Sequence, residues 1–151
     1  MWPTAIVGGA PATFLHYIVG DAPSLPGTGI FTYYPVGGTR PTNSLGITGA
    51  FVSGTVTVDF TPGTLQLNSW QIAFGGNLYT QSGGGNATFV RAPNFNGSVN
   101  YSCAGQSCGA STPGNFSGSF TGAGAPGMGV VYGVFDSGTN GQIIGAQGFK
   151  R

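Results

Sequence analysis

Val52-Ser53-Gly54-Thr55-Val56-Thr57-Val58-Asp59-Phe60 places Val52, Gly54, Val56, Val58 and Phe60 on one side of an extended chain and Ser53, Thr55, Thr57 and Asp59 on the other. A period of two with one apolar and one polar face is the pattern of a strand that covers a core and meets water. Thr61-Pro62-Gly63-Thr64 follows, with Pro second and Gly third, as a type II turn requires. The returning run starts with Leu65 and Leu67 on one face and continues with Trp70, Ile72 and Phe74 on the other parity. A bulge near Asn68-Ser69 is expected to return both halves to the same side; without it Trp70 points outward.

Outward from this pair, strand signals recur at about 12–19, 28–35, 76–81, 86–91, 97–102, 115–121, 129–135 and 142–149. No window of a dozen residues keeps a 3.6-residue period free of Gly and Pro, so helix is not expected. Many short antiparallel strands joined by short turns suggest a sandwich or a closed barrel. Closure removes edges, which matters in a chain with few charges to guard them. The fold expected is all-β: a single antiparallel up-and-down β-barrel of about eight strands over 12–151, with a short N-terminal extension over 1–11. The last strands are apolar on both sides: Phe116, Gly118 and Phe120, Val130, Tyr132 and Val134, and Ile144, Ala146 and Gly148, with Val131, Phe135, Ile143 and Phe149 on opposite faces. Either a second layer or another molecule should cover them. Strand glycines such as Gly54, Gly118, Gly133 and Gly145 are expected to make room for large neighbours.

Composition narrows the function. Of 151 residues, 30 are Gly and 10 are Pro, but the glycines follow no three-residue period, which sets collagen aside. Charged residues are 5% of the chain, against about a quarter in ordinary domains. Four cations, Arg40, Arg91, Lys150 and Arg151, are too few to meet a phosphate backbone, so no nucleic acid partner is expected. A net charge of +1 gives little colloidal repulsion and tolerates self-association. Met1-Trp2-Pro3-Thr4 lacks the positive region of a secretory signal, and no 18-residue apolar stretch offers a transmembrane helix. A membrane-spanning barrel needs about nine to eleven residues per crossing and a polar lumen; the strand signals here are shorter and broken by glycine. Cys103-Ala104-Gly105-Gln106-Ser107-Cys108 is read as a small disulfide staple, with two isolated buried thiols as the alternative. A disulfide favours an oxidising compartment.

Several segments together resemble a known family. His16-Tyr17-Ile18-Val19-Gly20, Gly29-Ile30-Phe31-Thr32-Tyr33-Tyr34 and Gly38-Thr39-Arg40-Pro41-Thr42 precede the strand ending Thr57-Val58-Asp59-Phe60. Asn115-Phe116-Ser117-Gly118-Ser119-Phe120-Thr121-Gly122, Gly124-Ala125, Gly129-Val130-Val131-Tyr132 and Ile144-Gly145-Ala146-Gln147-Gly148-Phe149 follow. This order resembles the small C-terminal β-barrel module of Gram-negative secreted and surface proteins, similar to the barrels of transferrin-binding-protein-B-like lipoproteins. The resemblance spans about 12–149. It implies an eight-stranded antiparallel barrel with an apolar interior, exported beyond the inner membrane and used for recognition rather than catalysis.

Chemistry-bearing residues are sparse. His16 is the sole histidine and reads as a satisfied strand residue, since a general base needs an orienting partner and a nucleophile. Asp21, Asp59 and Asp136 are far apart, and Asp136-Ser137-Gly138 reads as a turn. There is no nucleophile elbow, and Cys-x4-Cys with one distant histidine does not make a closed zinc site. Ser82-Gly83-Gly84-Gly85-Asn86 reads as a flexible loop rather than a phosphate cradle. The acceptor-like triplets at Asn86, Asn96, Asn100 and Asn115 are incidental in a bacterial product. No catalytic residue, cofactor or metal ligand is therefore assigned.

Two functions remain. The first is a self-associating structural subunit of an extracellular fibre or surface layer, a homo-oligomer or polymer at the cell surface, outside the cell or in the periplasm. Its candidate assembly contacts are Trp2, Ile6, Val7, Val131, Phe135, Ile143 and Phe149, with the N-terminal extension laid on a neighbour or on its own barrel. The alternative is a recognition barrel that takes a protein, or a small apolar or haem-like ligand, through loops at Gly37–Gly46, Gln81–Gly85 and Cys103–Pro113.

Overall fold

The computed structural model describes the backbone of residues 6–8 and 13–15 and the whole of 16–90, 92–138 and 140–151. The strands, in chain order, are β1 (Ile6–Gly8), β2 (Thr13–Leu15), β3 (Ile30–Gly38), β4 (Ala50–Asp59), β5 (Thr64–Phe74), β6 (Asn77–Gly84), β7 (Asn86–Thr88), β8 (Asn94–Ala104), β9 (Pro113–Thr121), β10 (Gly127–Asp136) and β11 (Gly141–Lys150). Hydrogen bonding runs β4-β3-β11-β10-β9-β8-β6-β5, and β5 pairs again with β4. All of these ladders are antiparallel. The eight strands thus close an up-and-down barrel, with the short β7 paired to β5 as a ninth piece. The strand expected at 12–19 is confined to Thr13–Leu15, which pairs with β1 in a separate two-stranded sheet. The barrel wall itself starts at Ile30.

The alternation in β4 and β5 builds the core. Val56, Val58 and Phe60 face inward, and so do Leu65, Leu67, Trp70, Ile72 and Phe74, all nearly free of solvent contact. The parity break is absorbed where expected: Ser69 takes φ +53°, and the β4–β5 register shifts twice between Phe51 and Thr55. Gly63 takes φ +76°, as the third position of a type II turn demands. A side chain at Gly54 would come within 2.6 Å of the Trp70 ring, and Gly118 and Gly145 stand in the same relation to Phe95 and Tyr132. These glycines are packing sites for aromatics.

Aromatic rings fill the barrel. Trp70 stacks on Phe149 with centroids 5.6 Å apart, Phe51 meets Trp70 edge-on at 5.1 Å, and Phe89 meets Phe120 at 4.8 Å. Eight strands enclose a lumen that side chains can fill. Outward positions on β8 and β9 carry Asn94, Asn96, Ser98, Asn100, Asn115 and Ser117, all exposed. Over β8 and β9 the outer face is thus polar and uncharged, unlike the apolar band of a lipid-facing strand. The barrel strands are 8–11 residues long, which corrects the expectation of strands too short for a crossing. Among the described residues no helix is long and apolar enough to cross a membrane.

In β11 the interior positions are Ile143 and Phe149, while Ile144 and Ala146 face outward, opposite Gly133 and Val131 on β10. The outward apolar surface is covered in part by the chain itself. Residues 16–24 form a strap on the outer wall. Gly20 lies against Thr121, and Tyr17 and Ile18 line a groove with Val131 of β10 and Ser117 and Ser119 of β9. The strap ends at the β9–β10 connection, where Ser24 N donates to Gly122 O at 3.3 Å and Gly124 N to Ser24 Oγ at 2.9 Å. Leu25 then packs against the core. At the same barrel end Arg151 lies 3.8 Å over the Phe31 ring and donates to Gly124 O at 2.6 Å.

Candidate interaction surface

Barrel strands normally alternate between buried and exposed residues, and the second half of β3 does not. Tyr34, Pro35, Val36, Gly37 and Gly38 are all exposed, in succession. The ladder explains why. Only Ile30–Tyr33 of β3 pairs with β4, matching Val56–Asp59. From Tyr34 to Gly38 the strand pairs with β11 alone. Contact with the β4 side resumes past the strand, where Gly49 N donates to Pro41 O at 2.8 Å and Thr42 bridges Thr48. Pro35 has no N–H to give to a ladder, which suits an edge and not the middle of a sheet. The wall is therefore split between Tyr34–Gly38 and Ala50–Thr55. Phe51 floors the split, its ring packed on Trp70, Tyr132 and Phe149.

Large apolar side chains collect around this seam. Among the described residues nine large hydrophobics are exposed; five of them (Tyr34, Val36, Leu45, Ile47 and Val52) lie on the two sides of the seam or on the connection between β3 and β4, while Ile30 lies on the paired half of β3, opposite Asp59. Scattered exposed hydrophobics need no explanation, but a concentration on one sector marks an interaction site.

A polar knot at the neighbouring barrel end holds part of this surface in place. Asp136 is fully buried at the end of β10 and accepts from Tyr79 Oη at 2.5 Å, Gly109 N at 2.7 Å and Gly138 N at 2.8 Å. Burial raises its carboxyl, but the donors Tyr79, Gly138, Gly109 and Asn77 together outweigh that and hold it below the ordinary carboxylate value. Tyr79 is raised by burial and by its bond to Asp136. Asn140 Nδ2 donates to Tyr79 Oη at 2.9 Å, and Asn43 Nδ2 donates to Asn140 O at 3.1 Å. Asn43 Oδ1 in turn accepts from the backbone N–H groups of Leu45 and Ile47, each at 3.1 Å. A chain of buried hydrogen bonds thus runs from β10 to the turn that points Leu45 and Ile47 outward. The disulfide Cys103–Cys108, with Cα atoms 5.8 Å apart, closes the loop that supplies Gly109.

His16 fastens the strap at the end of β3. Its Nδ1 lies 2.6 Å from Thr39 Oγ1 and its Nε2 lies 2.7 Å from Thr42 Oγ1. Thr39 Oγ1 also accepts from Ala146 N at 3.0 Å. One consistent arrangement has Thr39 donating to Nδ1 and Nε2–H donating to Thr42. Burial lowers the His16 pKa, so the neutral ring is favoured. Both ring nitrogens are thus engaged with threonines of the β3–β4 connection.

The residues singled out in the sequence fall in several places. Val131 is half-buried beneath the strap, and Phe135 is 52% exposed on β10. Ile143 and Phe149 point into the barrel and are fully buried, which corrects their reading as surfaces offered to a neighbour. Ile6 and Val7 lie on β1, and Trp2 lies outside the described residues. Gln81–Gly85, expected as a contact loop, runs along the barrel wall at the β6–β7 junction, because Gln81, Gly83 and Gly84 stay paired with β8. The same pairing corrects the reading of Ser82–Asn86 as a flexible loop. Asp21, Asp59 and Asp136 are separate, and no group of three or more His, Cys, Asp or Glu residues suited to a metal ion occurs among the described residues. The expected contact loop Gly37–Gly46 does contain Leu45, but the sequence reading missed Tyr34, Val36 and Ile47, although Pro35 within a strand-like run was a signal for an edge. It also set Val52 on the core face; the register shift between Phe51 and Ser53 turns Val52 outward, 51% exposed. Comparison with family models and with curated proteins gave no match.

Proposed function

We propose that this is a non-catalytic, exported β-barrel that associates with copies of itself, as a structural subunit of an extracellular fibre or surface layer. One observation carries the reading: exposed apolar side chains gather along the β3–β4 seam of a protein with three acidic and four basic residues to keep its copies apart. Burying such a patch is favourable at roughly 25 cal/mol per Å², and the low charge offers little repulsion against it. The Cys103–Cys108 disulfide supports an oxidising location. A second reading is a recognition barrel, as the resemblance to transferrin-binding-protein-B-like barrels implies. It is favoured by Leu45, 73% exposed and held outward by Asn43.

Sedimentation of the purified protein at physiological salt, from low to high micromolar concentration, tests the first reading. Mass rising with concentration is expected, and electron microscopy of the concentrated sample should show ordered assemblies. A single 15.2 kDa species throughout would defeat it and leave the recognition barrel.

A further inference from the structure

The β4 edge along the seam points to a strand-acceptor site, and the N-terminal hairpin points to what fills it. We infer that Ala50–Thr55 of one copy takes up the β1–β2 hairpin of a second copy as added strands. This rests on the self-association reading and names its contact.

The acceptor is the free side of Ala50–Thr55. Its other side pairs with β5, as Ala50↔Ala73, Phe51↔Ile72, Ser53↔Gln71 and Thr55↔Asn68, while no ladder pair joins it to β3 among the described residues. Proteins guard such edges with charge, proline or a covering element. The β3 side of the seam has Pro35, but Ala50-Phe51-Val52-Ser53-Gly54-Thr55 contains neither a charge nor a proline. Val52 within it and Val36 across the seam are exposed, so an added strand would gain backbone hydrogen bonds and apolar contact together, as in strand addition generally.

The donor is a hairpin without a sheet. Among the described residues β1 and β2 pair only with each other, through Ile6↔Leu15, Val7↔Phe14 and Gly8↔Thr13. A lone two-stranded hairpin is marginally stable in water and gains by joining a larger sheet. Before Asp21 the sequence holds no Asp, Glu, Lys or Arg, which matches an uncharged acceptor. β2 ends at Leu15, next to His16, which is fixed to Thr39 and Thr42, so the chain leaves the barrel wall for β2 at a defined point. Each copy thus carries one donor and one acceptor. Such a head-to-tail contact either closes a ring or propagates a filament.

Two full-length variants test it. Val7→Pro with Phe14→Pro disables the hairpin ladder, and Val36→Asp with Val52→Asp makes the seam reject an apolar strand; the latter positions are about half exposed, 52% and 51%, so the core is untouched. In light-scattering mass measurements wild type should associate and each variant alone should stay at 15.2 kDa. An equimolar mixture should give a species of twice that mass and nothing longer. The seam variant should also shorten wild-type assemblies as a dose-dependent chain stopper, a readout that an unfolded variant would not give. If the hairpin variant assembles like wild type, or the two monomeric variants fail to pair, the hairpin-to-seam contact is wrong while self-association stands. If wild type itself never associates, the underlying reading falls as well.

Discussion

Replacing Asp136 with Asn isolates the polar knot that organises one end of the barrel. The carboxylate accepts three hydrogen bonds, from Tyr79 at 2.5 Å, Gly109 at 2.7 Å and Gly138 at 2.8 Å. An Asn side chain keeps Oδ1 for the two backbone N–H groups but presents an NH2 group to the Tyr79 hydroxyl. That hydroxyl already accepts from Asn140 at 2.9 Å and Asn77 at 3.3 Å, so its proton is left without an acceptor. A hydrogen bond to a charged group is worth about 1.5–3 kcal/mol and a buried orphan donor costs about 1–3 kcal/mol. The expected loss is about 3 kcal/mol, which for a domain of this size lowers Tm by roughly 6–12 °C. Urea unfolding and calorimetry at pH 7 measure it.

The pH dependence gives a second handle on the same variant. Asp136 titrates below its ordinary value of 3.8 in the folded protein, so between 3.8 and that lower value the unfolded chain binds more protons. Stability from this group is therefore complete above 3.8 and is lost as the pH falls through the folded pKa. Asn has nothing to lose there, so the gap between wild type and Asp136→Asn should narrow in acid. A loss under about 0.5 kcal/mol at neutral pH, well below the cost of one such bond, would refute the reasoning. So would a gap that stays constant down to pH ~2.5, where linkage requires it to shrink.

Two further measurements probe the strap and the staple. His16→Ala removes both ring bonds and should cost about 1–3 kcal/mol, with faster exchange of the Ala146 amide, whose acceptor Thr39 loses its partner. Because His16 is shifted down, its contribution is full above 6.5 and falls away as the pH drops below that value; an NMR titration of the ring at or above 6.5 would contradict the burial argument. Changing Cys103 and Cys108 to Ser opens a loop of a few residues, worth roughly 2 kcal/mol by chain entropy. Thermal melts with and without reductant should show matching losses in wild type and none in the double variant.

Much of the barrel was legible because alternation is local. Val56 and Val58 against Thr55 and Thr57, the Pro62-Gly63 turn, and the parity break before Trp70 all act within a few residues, so the wall, its turn and its bulge could be read in advance. The glycines facing Trp70, Phe95 and Tyr132 were also readable, since a strand tolerates glycine mainly where something large lies across it. The C-terminal strands were harder. Val131, Phe135, Ile143 and Phe149 look alike in a two-sided apolar strand, and only the pairing register sends Ile143 and Phe149 inward and Phe135 outward.

The exposure along the β3–β4 seam, beyond the expected loop at Gly37–Gly46, was not legible for a different reason. Whether Tyr34 and Val36 are exposed depends on which strand lies beside them, and β3 pairs with β4 over its first half and with β11 over its second. Asp136 shows the same limit: its turn with Gly138 is local, but Tyr79 is 57 residues away in the chain.

Residue order alone dictated an all-β chain, its turns, its aromatic core and the scarcity of charge, because side-chain alternation and turn chemistry are short-range and survive without knowledge of neighbours. Closure of the barrel created the rest. It drew the strap across β9 and β10, buried a lone carboxylate among three donors, and left one seam of the wall unpaired. Those features exist only where segments far apart in the chain meet, and which polar group is satisfied or which edge stays open is a property of that meeting.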